Sequence, residues 1–528
     1  MKTSAKVLLT GKDLTLSDLV MVALFNKPME IKISAAVDES EKLLNDKLAQ
    51  NYFLYGVNTN FGKDVSLLVQ PEQMEELQRN LIRSLLCGAS ISDELLPMPI
   101  IKGAMLARIN CLLLGYSGVS RTLILKKAEA LKLGLIPLVP LFGSVGASGD
   151  LIPSAYIANF IFGGFADDTL SCYTPSGIMP LPQAYFKFGF EPLYKIRPKE
   201  CLSIINSVSF CVSIASLAIF ELKKVVELLA LIASFSAQAV RCFDEDFSPY
   251  VQELRSGPES GAVKFAEKVC QLNHPNPLLL DAEKARRGNR RNIPLQDAYS
   301  LGRCASQHLD SLLDVLKISE EKINTVLNRA HDNPLIDPHK QRISHSGNFY
   351  AGDIASRMDW TRVEIGKAAK WLHAIVNRLL DENKNNGLGA NLVYRQDGIQ
   401  NGLKGLNLLS TALTTPLSGV TAISPLTVPT ERENQDIVSL AFQSAIETYR
   451  AVGILENLVA VSLICALQAF DLRLKKEQIS VSRKKFNPML VNAYQQFRDI
   501  VPFVKKDVSF HAYIQKLKIF IQKQERIL

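Results

Sequence analysis

Apolar residues recur with helical spacing along most of the chain, at 18–25, 65–87, 99–114, 121–131 and 151–162, then over long stretches at 202–241, 350–380 and 434–472. Strand-like alternation is scarce, so the pattern predicts an all-α fold. The long stretches far exceed the average helix of ~11–12 residues. They are apolar around most of their circumference, which demands cover on several sides. We therefore expect a long central helical bundle completed by other subunits. The first 200 residues carry shorter elements and more Gly/Pro loops, with "CYTPSGIMPLPQ" (172–183) as the connector, and the text beyond 472 turns polar and Lys-rich. The expected division is an N-terminal domain at 1–200, the long-helix bundle at 201–475 and a C-terminal helical tail at 476–528. No internal repeat or low-complexity tract interrupts it.

With 528 residues, 47% of them hydrophobic, the chain can bury an extensive core. Its net charge of +8 is small for that length. The basic runs at 284–291 and 475–485 have no interleaved aromatics to stack on bases, so they read as solvated faces and no nucleic-acid partner is expected. The nine cysteines contain no CxxC pair, and several sit in apolar text such as "SFCVSIA" and "LICALQA", which points to a reducing, cytoplasmic setting. His308, His331, His339, His345 and His373 form no HxxxH pair, so no metal site is expected. Lys12, Asp13 and Asp18 break up the apolar N-terminal text, unlike a signal peptide. The charge-free stretch 201–220 holds Asn206 and several serines and runs into "ELKKVVELL", which fits a helix buried among helices better than a membrane span.

"LFGSVGASGDLIPSAY" (141–156) departs from this pattern by gathering Gly143, Gly146, Ala147, Ser148 and Gly149 directly before an apolar helix. Small residues at that density mean that the backbone itself is wanted. A phosphate loop needs GxxxxGK[ST], and a dinucleotide fingerprint needs GxGxxG after a strand. Here the spacing is GxxGxxG, and Pro137 and Pro140 oppose a central strand. The hydrolase elbow GxSxG is a near miss, with Asp150 in place of the final glycine. A further reading uses the main chain. Nothing bulky obstructs attack of the Gly149 nitrogen on the Ala147 carbonyl. Loss of water from that ring closure and from the Ser148 side chain leaves an exocyclic methylidene, the electrophile 4-methylidene-imidazol-5-one (MIO). Asp150 is expected to cap the following helix, whose N-terminal partial positive charge makes such a ring more electron-poor. On this stretch alone, a plain glycine-rich turn before a helix fits as well.

From "LTLSDL" to its tail the chain resembles the aromatic amino acid ammonia-lyase and aminomutase family, which holds histidine, phenylalanine and tyrosine ammonia-lyases and their mutase relatives; "GSVGASGDLIP" is among that family's most specific strings. The resemblance implies an all-helical fold with a long central bundle, MIO formed autocatalytically from Ala147, Ser148 and Gly149, and a homotetramer whose active sites combine residues of different subunits. "YGVNTNFG" (55–62) resembles the loop bearing the catalytic tyrosine, which implies that role for Tyr55. A phenol, with an ordinary pKa of ~10, serves as a base only where its site favours the anion. Asn60 stands where the family has glycine, and asparagine tolerates left-handed conformations. "IIN" (204–206) resembles "LINGT", whose asparagine hydrogen-bonds the MIO ring; Asn206 is kept, while Ser207 and Val208 replace Gly-Thr.

"LQDAYSLGRCASQ" (295–307) resembles "QDxYSLRCxPQ". This implies Tyr299 as a second active-site tyrosine and Arg303 as the forked clamp of the substrate carboxylate, with Gly302 an extra residue before the arginine and Ser306 in place of proline. "HDNPLID" (331–337) and "HSGNFYAGD" (345–353) resemble "NDNPLID" and "GGNF", so Asn348 and Phe349 are implied to line the pocket. "TERENQDIVSLA" (430–441) resembles "TEQxNQDIVSLG", placing Glu431, Asn434 and Gln435 near the substrate amine. Taken without the resemblance, Phe349 reads as a core aromatic and 430–441 as a helix N-cap with an acidic first turn.

Three positions speak to the small-molecule amino acid substrate. Ser84-Leu85 occupies the place of a Ser-His pair in histidine enzymes and of a Phe-Leu pair in plant phenylalanine enzymes, and tyrosine-specific members often have histidine there. Lys404 in "GLKG" stands where phenylalanine and some tyrosine enzymes carry lysine and histidine enzymes methionine, and Glu431 follows the phenylalanine pattern. An apolar pocket end favours phenylalanine, because a buried phenol hydroxyl left unpaired costs ~1–3 kcal/mol; Ser84 still offers a phenol a partner. The expectation is an ammonia-lyase preferring phenylalanine or tyrosine: the amine adds to MIO, Tyr55 removes a β-proton and a trans-2-enoic acid results. Histidine ammonia-lyase and aromatic aminomutase are the alternatives. Two further classes stand beside them: a serine hydrolase acting through Ser148, and a helical scaffold impaired by the departures at Asn60, Ser207, Val208 and Gly302.

Overall fold

The computed structural model describes residues 6–165, 170–287, 299–395 and 397–528. The fold is all-α. In chain order the helices are α1 (Leu16–Ala23), α2 (Ala35–Ala49), α3 (Met74–Leu85), α4 (Met98–Leu112), α5 (Arg121–Leu133), α6 (Leu151–Ile161), α7 (Leu181–Phe188), α8 (Glu200–Ile205) and α9 (Ser209–Val240). They continue as α10 (Pro249–Ser256), α11 (Gly261–Leu272), α12 (Ala282–Arg287), α13 (Ala305–Leu327), α14 (Gly352–Leu380), α15 (Lys404–Ser418), α16 (Ala441–Lys476), α17 (Pro488–Ile500) and α18 (His511–Lys523). Short strands complete the chain: β1 (Val7–Leu9) pairs in parallel with β2 (Met29–Ile31), β3 (Ile136–Pro137), β4 (Ser171–Thr174) and β5 (Gly177–Pro180) form an antiparallel sheet, and β6 (Leu335–Asp337) pairs with β7 (Arg342–Ser344).

Two compact units result. One comprises Met1–Phe220, Ser319–Asp359 and Ala422–Tyr449, the other Glu221–Ile318, Trp360–Thr421 and Arg450–Leu528. Neither is contiguous, so 1–200, 201–475 and 476–528 divide the sequence rather than these units. In the first unit, Thr15 and Asp18 cap α1 reciprocally, and Ser120 caps α5, which ends at left-handed Gly134. Helix α4 is buried from Ile100 to Leu112, including the polar Lys102, Arg108 and Asn110. In the second unit, Phe235, Phe470, Phe486 and Tyr494 form an aromatic cluster, and buried Arg473 donates to the carbonyls of Ala239 and Asn386.

Several expectations are corrected here. The segment 65–87 is helical only from Met74, preceded by single 3₁₀ turns. The stretch 202–241 is two helices, interrupted at 206–208, where Ser207 Oγ accepts from Ser209 N at the start of α9. The connector 172–183 folds as the β4–β5 hairpin and the start of α7. The last long helix begins at Ala441 rather than at 434. The run Glu200–Val240 is long enough to cross a membrane, but its most apolar 18-residue stretch is entirely buried, and that of α16 is 83% buried. The chain therefore covers α9 by itself, and the apolarity of that helix is no evidence for a neighbouring subunit.

Candidate active site

The glycine-rich segment forms an irregular loop between β3 and α6, with Gly146 at φ +68° and Gly149 at φ +78°. Glycine is required at 149 twice over, since a Cβ there would also collide with the Ser207 backbone. Two neighbouring segments hold the loop. From the α8–α9 break, Ser207 O accepts from Asp150 N (2.7 Å) and Asn206 Nδ2 donates to Ser148 O (2.8 Å). From the approach to α16, Leu440 N donates to Val145 O (3.1 Å) and Gln435 Nε2 to Ser148 Oγ (3.1 Å). Ser148 thus has its carbonyl and its hydroxyl gripped by separate amides.

Asp150 does not cap α6. Its fully buried carboxylate accepts from Ser144 Oγ (2.8 Å) and from Cys211 N (2.9 Å), so it caps the start of α9 and ties the loop to that helix. Burial pushes its pKa up, opposed chiefly by the Cys211 and Ser144 bonds.

A cavity of about 380 Å³ opens beside Ser148 within the first unit. Its polar lining is Tyr55, Ser148, Asn206, Asn333, Glu431, Asn434 and Gln435; Leu81, Leu85, Leu151, Leu202, Ile205, Phe61 and Phe349 supply the apolar wall. Asn206 Oδ1 is buried without a partner among the described residues. The Tyr55 hydroxyl accepts from Gly62 N (2.9 Å), and its backbone N–H donates to His345 Nε2 (3.3 Å). Burial raises the Tyr55 pKa and the Glu431 carboxylate raises it further, while the Gly62 bond opposes them. No lysine or arginine lines the cavity among the described residues.

Glu431 reaches the tyrosine loop through Lys63 N, 3.1 and 3.3 Å from its two carboxylate oxygens. Gly62, at φ +57°, leaves room for that carboxyl group, which would lie 2.7 Å from a Cβ. Residues Glu431, Arg432 and Glu433 all take left-handed φ values of +51°, +55° and +63°, a strained run held by the Thr430–Gln435 bridge. The segment is a tight turn, not a helix N-cap. Asn60 is not among the left-handed residues, so asparagine there carries no strain; its Oδ1 accepts from Phe61 N.

Tyr55, Ser148, Asn206, Leu85, Phe349, Glu431, Asn434 and Gln435 therefore come together as expected, whereas other expected residues do not join them. Ser84 is exposed and donates to Leu81 O (2.9 Å), so the phenol partner it was expected to offer is absent from the cavity. Asn348 is exposed and bonded to Ala330 O and Ser346 Oγ. Tyr299, Arg303 and Lys404 belong to the second unit, are exposed and line no part of this cavity. The extra Gly302 falls within a π-helical turn, Tyr299–Arg303, closed by Cys304 N donating to Tyr299 O. One inserted residue is thereby absorbed as a bulge. The start of that motif, at 295–298, lies outside the described residues. Leu81, Leu202 and Ile205 went unnamed in the sequence, yet helical spacing marks them: Leu81 is one turn from Leu85, and Leu202 and Ile205 precede Asn206 on one face.

An all-α scaffold that presents a strained, doubly gripped Ala-Ser-Gly loop to a cavity with a buried tyrosine defines a lyase-type enzyme site. Residues 14–499 match the family described as aromatic amino acid lyase, and the chain belongs to that family. It is 30% identical over 488 residues to a phenylalanine ammonia-lyase of Aspergillus hancockii, covering 89% of this chain and 68% of that protein. It is 29% identical over 525 residues to a histidine ammonia-lyase of Geobacillus thermodenitrificans, covering 98% and 97%. Among solved structures it is similar to a tyrosine aminomutase from Streptomyces globisporus, with a TM-score of 0.89 at 26% identity, over 98% of this chain and 97% of that one.

Proposed function

We propose that the protein is an aromatic amino acid ammonia-lyase that prefers phenylalanine and releases ammonia to leave a trans-2-enoic acid. The observation that carries this is the single cavity in which Ser148, Asn206, Tyr55 and Glu431 meet an apolar wall built around Leu81 and Leu85. Ala147, Ser148 and Gly149 fit the MIO group: residue 149 has no room for a Cβ, Asn206 donates to the Ser148 carbonyl that becomes the ring oxygen, and Gln435 holds the hydroxyl that must leave. MIO supplies the electrophile that turns the substrate amine into a leaving group. Asn206 Oδ1, without a partner among the described residues, and the Glu431 carboxylate offer acceptors to a cationic amine.

Tyr55 takes the β-proton. In a single chain its environment favours the phenol rather than the phenolate, so the cation that makes it a base comes from outside this unit. We assign that contribution, together with the carboxylate clamp, to Arg303, Tyr299 and Lys404 of neighbouring subunits in a homotetramer. Exposed Phe53, Leu67 and Leu68 flanking the tyrosine loop support its being covered. With Ser84 turned to its own helix, no group on α3 pairs a phenol or an imidazole, which favours phenylalanine. The nine free thiols support the cytoplasmic setting.

The likeness to an aminomutase favours a second outcome, in which the same residues return ammonia to the β-carbon. Incubating the purified protein with phenylalanine, tyrosine and histidine separates these. Cinnamate formed fastest is the expected result. A β-amino acid as the main product replaces lyase by mutase, urocanate formed fastest replaces phenylalanine by histidine, and no turnover overturns the catalytic assignment.

A further inference from the structure

A second cleft, of about 530 Å³, lies in the first unit where the C-terminal ends of α1 and α5 meet β2 and the turn of the β4–β5 hairpin. It shares no residue with the cavity beside Ser148. Four lysines line it, Lys6, Lys27, Lys102 and Lys132, against one carboxylate, Glu30, which is already ion-paired with Lys6. Of the three remaining ammonium groups, Lys132 also feels the Glu30 carboxylate, while Lys27 and Lys102 have no acidic partner in the lining.

Two of these have an ordinary explanation. Lys132 stands in the last turn of α5 and Lys27 just past the end of α1, where cations complement the partial negative charge of a helix C-terminus. Lys102 does not. It belongs to the second turn of α4, not to a helix C-terminus, it is 7% exposed, and its hydrogen bond goes to a neutral amide, Asn26 Oδ1. Burying an ammonium against a neutral acceptor is costly, and burial accordingly lowers the Lys102 pKa with no carboxylate acting against it. An anion in the cleft removes that cost.

We propose that this cleft binds a small phosphorylated molecule, with the phosphate between Lys102, Lys27 and Lys132 and an apolar body against Val22, Met29 and Leu131. Ammonium groups act as separate point charges suited to a multiply charged tetrahedral oxyanion, whereas recognition of a planar carboxylate uses the guanidinium fork that this lining lacks. The volume falls within the range of ~300–1,000 Å³ usual for small-molecule sites.

The test is calorimetric titration of the full-length protein with pyrophosphate in chloride buffer at fixed ionic strength, beside Lys102→Met and the exposed Lys132→Gln. Saturable binding is expected at one site per chain, weakened roughly ten-fold or more by Lys102→Met and less by Lys132→Gln. Without anion, Lys102→Met should melt above the parent, because an uncompensated buried charge is gone. If Lys102→Met does not fold, the Lys132→Gln titration decides alone. Absence of saturable binding, affinities unchanged by either substitution, or a Lys102→Met protein that melts below the parent overturns the proposal. Binding to phosphatidic acid vesicles with none to pyrophosphate also overturns it, since the occupant would then be a lipid headgroup.

Discussion

Replacing Leu85 by histidine should move substrate preference from phenylalanine toward tyrosine and histidine. Leu85 is the last residue of α3 and lines the cavity beside Leu81, while the neighbouring Ser84 hydroxyl is committed to Leu81 O. A phenol hydroxyl entering at this end goes unpaired, at a cost of ~1–3 kcal/mol, so phenylalanine should lead tyrosine by roughly ten- to hundred-fold in kcat/KM. An imidazole at position 85 restores a partner and recovers most of that. It also withdraws apolar contact from a phenyl ring, worth about 1 kcal/mol. Together the phenylalanine-to-tyrosine ratio should fall by roughly two orders of magnitude. Initial rates of cinnamate and coumarate formation, read by absorbance, give the ratio for both proteins. A ratio unchanged within about three-fold, well below the shift just argued, would place the aromatic ring elsewhere in the cavity.

Arg303→Ala should lose a charge-assisted clamp worth ~1.5–3 kcal/mol, seen as a rise in KM; equal kinetics would show that the π-helical turn has carried this arginine out of every active site. Co-expressing Tyr55→Phe with Arg303→Ala should give more activity at low substrate than the sum of the two variants expressed separately if sites are shared, and light scattering should find a tetramer; a fully active monomer refutes both. Lys127 is buried with no hydrogen-bond partner for its Nζ among the described residues, and burial, aided by Arg108, brings its pKa down from 10.5 to about 7. Because the folded value lies below the unfolded one, the unfolded chain binds the extra proton between them. Stability is then lost as pH falls from about 10 to 7, by up to about 5 kcal/mol. Lys127→Met should therefore melt above the parent at pH 7 and alongside it above pH 10.5; a lower melting temperature at pH 7 would mean that the ammonium has a partner.

The residues that meet in the cavity were legible because each sits in a short string whose chemistry is local: the Ala-Ser-Gly loop, the tyrosine loop, and the asparagine that ends α8. Helical geometry decides the cases that went astray on α3. Residues four apart share a face, so Leu81 accompanies Leu85, while Ser84 is rotated about 100° away. Asp150 stands between two helix starts. Which one it caps depends on Cys211, some sixty residues further on, a contact no local pattern encodes. The break at 206–208 contains neither glycine nor proline, only Asn206, Val208 and a serine, Ser207, that bonds the Ser209 backbone, and so passes for continuous helix. The β4–β5 hairpin had a usable signal in Pro175-Ser176-Gly177. Apolarity on most faces predicts cover by neighbouring subunits, yet a chain of this length has enough helices to bury the apolar stretch of α9 by itself.

The mass of the intact peptide spanning 141–156, released from freshly purified protein, tests the central claim most directly. Cyclisation of Ala147-Ser148-Gly149 predicts a peptide two water molecules lighter than its sequence, with the loss abolished in Ser148→Ala while the helical content stays unchanged. A peptide of full sequence mass from protein that turns over phenylalanine would contradict it.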